Sequence, residues 1–367
     1  MSDKYMTGLS AKELLDSLET EGFADNRKEI MQFLIARKGE KEMPLYLRIL
    51  LGVGAFISSL CLIGFLVAAE IISFRSEVEL NIWGIFFIIA AVVLQRTSGQ
   101  KEDSVKHCFM MQSSFCAMAT GKTLFVAGVT QATDTAWGIP VAALIITILT
   151  YNVYKMSTDR FLSSFAVLFS LMSNILWNLD MGDARIFLVN AFFLLQVIAA
   201  SILLTYGKAK RDYIPLFYAF VFSLCVTVVF LTVQPNLEYG GNDALTHPVF
   251  INLVLTISLI ALIGWAAGKP GKLKKEPLLI ASCGAVLLGV ISAPGVLLAI
   301  GLLIMGYAGH EKLLLTMGGL IMPVSLFFYY YNMDLTLDRK SAILVSGGLL
   351  LLAGRCYLRY RKLDAEV

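Results

Sequence analysis

Charge is scarce in this chain. Only 16% of its 367 residues are Asp, Glu, Lys or Arg, where a soluble domain carries about 25%. The formal net charge of +3 is too small to argue for a nucleic-acid partner. Histidine is rarer still. The three histidines, His107, His247 and His310, fall on opposite sides of the threading derived below, and no HExxH or His/Cys cluster occurs. No three-histidine metal site can form from them. The six cysteines, Cys61, Cys108, Cys116, Cys225, Cys283 and Cys356, include no CxxC pair and sit in or at the ends of apolar runs. They read as small apolar packers rather than a disulfide framework. No Ser/His/Asp arrangement, paired-carboxylate motif or glycine-rich nucleotide loop is present, and no cofactor or catalytic residue is implied. Gly121-Lys122-Thr123 has Cys116 where a phosphate-binding loop needs glycine, and it lies in an apolar segment.

What the chain has instead is hydrophobic sequence, 57% of all residues with a mean hydropathy of +0.73. The pattern begins at Met43–Ala69, which carries a single charge, Arg48, and no acid. About 20 such residues, at ~1.5 Å each, cross a ~30 Å hydrocarbon core. Arg37, Lys38, Lys41 and Arg48 hold its leading end in the cytoplasm. It is expected to stay as an uncleaved signal-anchor, since it starts too far into the chain for a signal peptide.

Residues Met1–Glu42 are expected to form a cytosolic two-helix module. Ser10 and Glu13 make a capping box, Leu14, Leu15 and Leu18 an apolar stripe, and Gly22 and Gly39 the stops. Residues 43–358 are expected to form an all-α, polytopic transmembrane helix bundle of about 12 spans, followed by a basic cytosolic tail at 359–367. After the first span the apolar segments are Leu80–Leu94, His107–Val129, Ala136–Tyr154, Phe161–Trp177, Ile186–Tyr206, Tyr213–Val233, Pro248–Ala267, Pro277–Ser292, Pro294–Ala308, Leu313–Tyr331 and Ser341–Tyr357. The pair at Pro277–Gly309, broken by Ala293-Pro294-Gly295, either crosses twice in a thin region or forms a re-entrant hairpin. Alternate loops hold Arg96, Lys101, Lys106; Lys155, Arg160; Lys208, Lys210, Arg211; Lys269, Lys272, Lys274, Lys275; and Lys312. The opposite loops hold only Arg75, Arg185, Arg339 and Lys340. That bias places both termini in the cytoplasm.

Two polar regions are candidate sites. The third segment carries Gln112, Lys122 and Thr123 among other polar residues, and an ionisable group within a span points to function. Lys122 lies about seven residues, ~10 Å, from the outer end at Val129, so partial snorkelling is the competing explanation, and close helix packing accounts for the small residues. The outer face offers Asp180, Asp183 and Arg185 in one loop, and Tyr329, Tyr330, Tyr331, Asp334 and Lys340 in another. The carboxylates there suit cation binding or acid–base work as well as plain solvation, and the tyrosines suit an interfacial belt.

Pro44–Leu66 and Leu326–Arg359, with its YYY-x-x-D-L-T-L-x-x-K-S pattern from Tyr329 to Ser341, resemble the bacterial multi-pass membrane proteins grouped as domain of unknown function family 4401. The resemblance implies an inner-membrane protein with no established activity and, besides membrane lipid, a partner membrane protein carrying a GDYxxLxY motif. That motif is absent here, since Gly182-Asp183 is followed by Ala184. Three functions stay open: a non-enzymatic scaffold or transport subunit of an envelope complex, a stand-alone secondary transporter, or a membrane enzyme acting on lipid or glycan at the outer face.

Overall fold

The computed structural model describes most of residues 53–332 and scattered positions as far as 352, leaving out 178–182, 208–212, 234–247 and 267–274 among others. The described residues are helical, with turns and no strand. The expected module at Met1–Glu42 and the tail at 359–367 lie outside them. The described positions of the first span, from Val53 to Ala68, are helical.

Among the described residues ten helices of defined extent follow: α1 (Glu77–Ser98), α2 (Ser104–Thr133), α3 (Gly138–Tyr151), α4 (Ser157–Trp177), α5 (Asp183–Gly207), α6 (Ile214–Val233), α7 (Pro248–Ala266), α8 (Lys275–Ile291), α9 (Pro294–Gly309) and α10 (Lys312–Asn332). Two compact units are present. One takes the described residues up to residue 71 with Ile89–Ala117, the other Ile72–Ile88 with the described residues from Met118 onward.

Local chemistry explains the helix limits. At α1 the Ser76 hydroxyl accepts the Glu79 amide, Glu77 and Glu79 occupy the first turn, and Arg96 the last, each favoured by the helix dipole. Pro294 opens α9 at a position where its missing N–H costs nothing, so the Ala293-Pro294-Gly295 break falls where the sequence puts it. α9 ends at His310 in the left-handed region (φ 54°), and the Glu311 amide donates back to Gly306 O at 2.9 Å. A non-glycine residue there is strained. His310→Gly is expected to stabilise the protein by about 0.5–1 kcal/mol, read as a raised melting temperature in detergent.

Among the described residues four helices are long and apolar enough to cross a membrane: Glu77–Ser98, Ala184–Leu204, Ile214–Leu231 and Lys312–Tyr331. Four further apolar stretches, Gly138–Tyr151, Phe250–Ala266, Ala281–Val290 and Pro294–Gly309, are shorter. On α1, Ile82, Ile85, Phe86, Ile89 and Val93 form an exposed stripe at helical spacing, a face that suits lipid rather than water. This is a membrane-embedded helical protein.

The larger unit is organised around α6 and α9. Phe193, Val221, Val228, Ile251, Leu297 and Leu314, drawn from five helices, form its core. α9 lies close against α10 because Gly318 leaves room for it: a Cβ there would stand 3.0 Å from Ala299 O. Cys116 and Cys225 are buried as expected, whereas Cys61 and Cys283 are exposed.

Candidate functional site

The centre of interest is built from the two least lipophilic helices of the chain. α2 and α4 are long enough to be spans but fall short of the apolarity that marks those above. α2 carries Lys122 in its middle, and α4 carries Asp159 and Arg160 in its first turn.

These charges meet one another. Lys122 Nζ donates to Asp159 Oδ2 at 2.7 Å and to Ser163 Oγ at 2.8 Å. Ser163, one turn beyond Asp159 and on the same face, donates in turn to Asp159 Oδ1 at 3.4 Å. Lys122 is 9% exposed and Asp159 3%. Position in the first turn of α4 adds the helix dipole to the stabilisation of the carboxylate. Arg160, also buried, donates Nε to the Tyr151 carbonyl at 3.0 Å and sets its guanidinium 4.7 Å from the centre of the Tyr151 ring. It therefore satisfies the end of α3 while its charge rests on an aromatic face.

Helix lengths explain why the pair is level. α2 continues to Thr133, so Lys122 lies 11 residues from its end, or ~16 Å. α3 has only 14 residues, or ~21 Å, before the chain turns and Asp159 heads back along α4. The two side chains thus arrive at one depth. The ammonium weighed for snorkelling is held by a carboxylate instead. Arg160, expected in an open cytoplasmic loop, is buried beside it.

A neighbouring face of α2 sets its register. Ser114, Gly121 and Gly128 recur every seven residues. The Ser114 hydroxyl donates to Ala91 O at 2.8 Å. A Cβ on Gly121 would stand 2.8 Å from Gly84 O, and one on Gly128 would stand 2.8 Å from the Asn81 side chain. Small residues thus bring α1 and α2 together backbone to backbone, and Lys122, ~100° round from Gly121, reaches α4.

The other sequence candidates divide. Thr123 is exposed and returns its hydroxyl to Ala119 O at 2.8 Å, away from the pair. Gln112 is half-buried in the other unit. At the outer face Tyr329 and Tyr330 are half-buried, and Tyr331 is exposed with its ring stacked on Phe327. Arg185 is half-buried, with Nε lacking a hydrogen bond. Asp180, Asp334, Lys340 and the Asp183 side chain lie outside the described residues, so no outer-face constellation is assembled among those described.

A second polar cluster escaped the sequence reading. Gln196 of α5, fully buried, donates Nε2 to Ser223 Oγ at 2.8 Å and accepts from Thr227 Oγ1 at 3.5 Å. A cavity of about 30 Å³ beside Ser223 and Thr227 has the volume of one water. The readable signal was a lone glutamine inside an apolar run, with Ser and Thr four residues apart on the next segment.

Comparison with known proteins adds a family. The model for the family described as Domain of unknown function (DUF4401) matches residues 44–361. The chain belongs to this family. No curated protein and no solved structure matches it. DUF4401 membership agrees with the resemblance at the Tyr329–Ser341 pattern and brings no catalytic residue to the chain, so the Lys122–Asp159–Ser163 constellation stands on its geometry alone.

Proposed function

We propose that this DUF4401 protein is a non-enzymatic component of a bacterial inner-membrane complex, a scaffold or transport subunit. It crosses about twelve times and keeps both termini in the cytoplasm. The observation that carries this reading is the outward side of α2. Thr123, Ala127, Thr130 and Asp134 follow one another at helical spacing along an open groove of about 720 Å³, bordered also by Leu80, Gln131 and Ile139. Both threonines bond their own helix, Thr130 Oγ1 donating to Val126 O at 2.7 Å. They therefore act as small residues that let another helix approach, while Gln131 and Asp134 offer a partner polar groups at the outer end of the groove. A neighbouring membrane protein suits that groove better than lipid does. The GDYxxLxY protein implied by the family resemblance is the candidate.

The test is a photoreactive side chain at Thr123 in native membranes, with lipid-facing Ile89 as control. A discrete protein adduct from position 123 is expected. Lipid adducts alone, indistinguishable from those at position 89, would sink the proposal.

The Lys122–Asp159 pair favours transport as a second reading. Exchangeable charges inside a span mark ion and proton routes, and the variants in the Discussion separate that role from a structural clamp.

A further inference from the structure

A second groove has a different character. It lies between α5, α6, α7 and α9 and encloses about 530 Å³. Its walls are Leu, Val, Ile and Ala side chains with Gly301, Ser201, Ser258 and Trp265. The two serine hydroxyls are turned back on their own helices, donating to Val197 O and Val254 O at 2.8 and 2.7 Å. The groove therefore asks nothing polar of its occupant. Ile198, Ile202 and Ile257 in its lining are exposed.

Its position follows from the threading. The lining residues run along α5 from Leu194 to Leu204, along α7 from Val254 to Trp265 and along α9 from Leu297 to Met305. The α5 and α7 stretches lie in the parts of their helices that lead to the cytoplasmic end under the proposed orientation, and the α9 stretch runs through the middle of that short helix. The α7 stretch rises ~16 Å, about half of a ~30 Å core, so the groove is one leaflet tall. Trp265 stands at the depth where tryptophan marks the interface. In sequence, α5 is followed by Lys208, Lys210 and Arg211, and α7 by Lys269, Lys272, Lys274 and Lys275. Basic residues at the cytoplasmic ends of spans favour anionic headgroups.

We propose that this groove holds one acyl chain of an anionic phospholipid of the cytoplasmic leaflet. The inference rests on the orientation proposed above, which reporter fusions at the two termini test without reference to lipid. Gly301 supplies the decisive variant. A Cβ built there meets nothing within 4 Å, so a bulky side chain enters the groove rather than striking the protein. Gly301→Phe fills it from α9, and Ala261→Phe, at an exposed position, fills it from α7.

The full chain, delipidated in detergent, is titrated with phosphatidylglycerol or phosphatidylethanolamine and read by native mass spectrometry. A one-to-one phosphatidylglycerol adduct is expected, retained at collision energies that strip phosphatidylethanolamine. It should weaken at least about tenfold in both variants while their lipid-free melting is unchanged, because each methylene kept from the groove loses burial. If Gly301→Phe does not fold, Ala261→Phe decides. Adducts that survive in the variants overturn the groove as the site, and equal retention of the two lipids overturns the anionic preference.

Discussion

Asp159→Leu is expected to destabilise the protein by about 3–5 kcal/mol, because it strands the Lys122 ammonium in the bundle. Ser163 alone, 2.8 Å away, leaves the charge uncompensated. Lys122→Met should cost a similar amount by stranding the carboxylate. The double variant Lys122→Met/Asp159→Leu is the informative one, since removing both charges together leaves an apolar contact and is expected to recover most of the loss. Melting of the four proteins in detergent gives the cycle, and an additive double variant would show that the two groups are not coupled. The same protein addresses transport. If the folded double variant still moves ions or protons at the wild-type rate, the pair is a clamp; if flux falls while stability returns, the charges themselves are used.

Gly121→Leu should be comparably severe. The site that a Cβ would take lies 2.8 Å from both Gly84 O and Ile88 N, and backbone cannot rotate aside as a side chain can. Separating the helices opens the α1–α2 seam and draws α2 out of register with α4, at an expected cost of about 3 kcal/mol. Gly319→Leu is the control, because a Cβ there meets nothing within 4 Å. A Gly121→Leu protein that melts with the Gly319→Leu protein would refute the close contact.

Much of this architecture was readable from residue type. Continuous apolar runs announce helices in lipid, and the break at Ala293-Pro294-Gly295 falls where proline cannot continue a helix. Lys122 stood out because an ionisable group within an apolar run is costly, even with partial snorkelling as the competing explanation. Its partner did not. Asp159 sits beside Arg160, two residues before the apolar run resumes, and that spacing resembles an ordinary loop. Only the length of α3, fixed where the chain turns between Asn152 and Met156, carries Asp159 to the depth of Lys122. Hydropathy reports how much apolar sequence there is, and it is silent on where a short helix stops relative to its neighbours. Gln196 was missed for a related reason, since one amide in a long apolar run barely lowers its mean.

The brevity of α3 also matters to the surrounding bilayer. A 14-residue helix offers lipid some ~9 Å less apolar height than the hydrocarbon sheet around it. Acyl chains along that flank must thin or tilt to match, at a cost that grows with each ångström of mismatch. The protein therefore carries a built-in preference for thinner membrane, and the dimple it imposes shortens the distance between water and the buried Lys122–Asp159 pair.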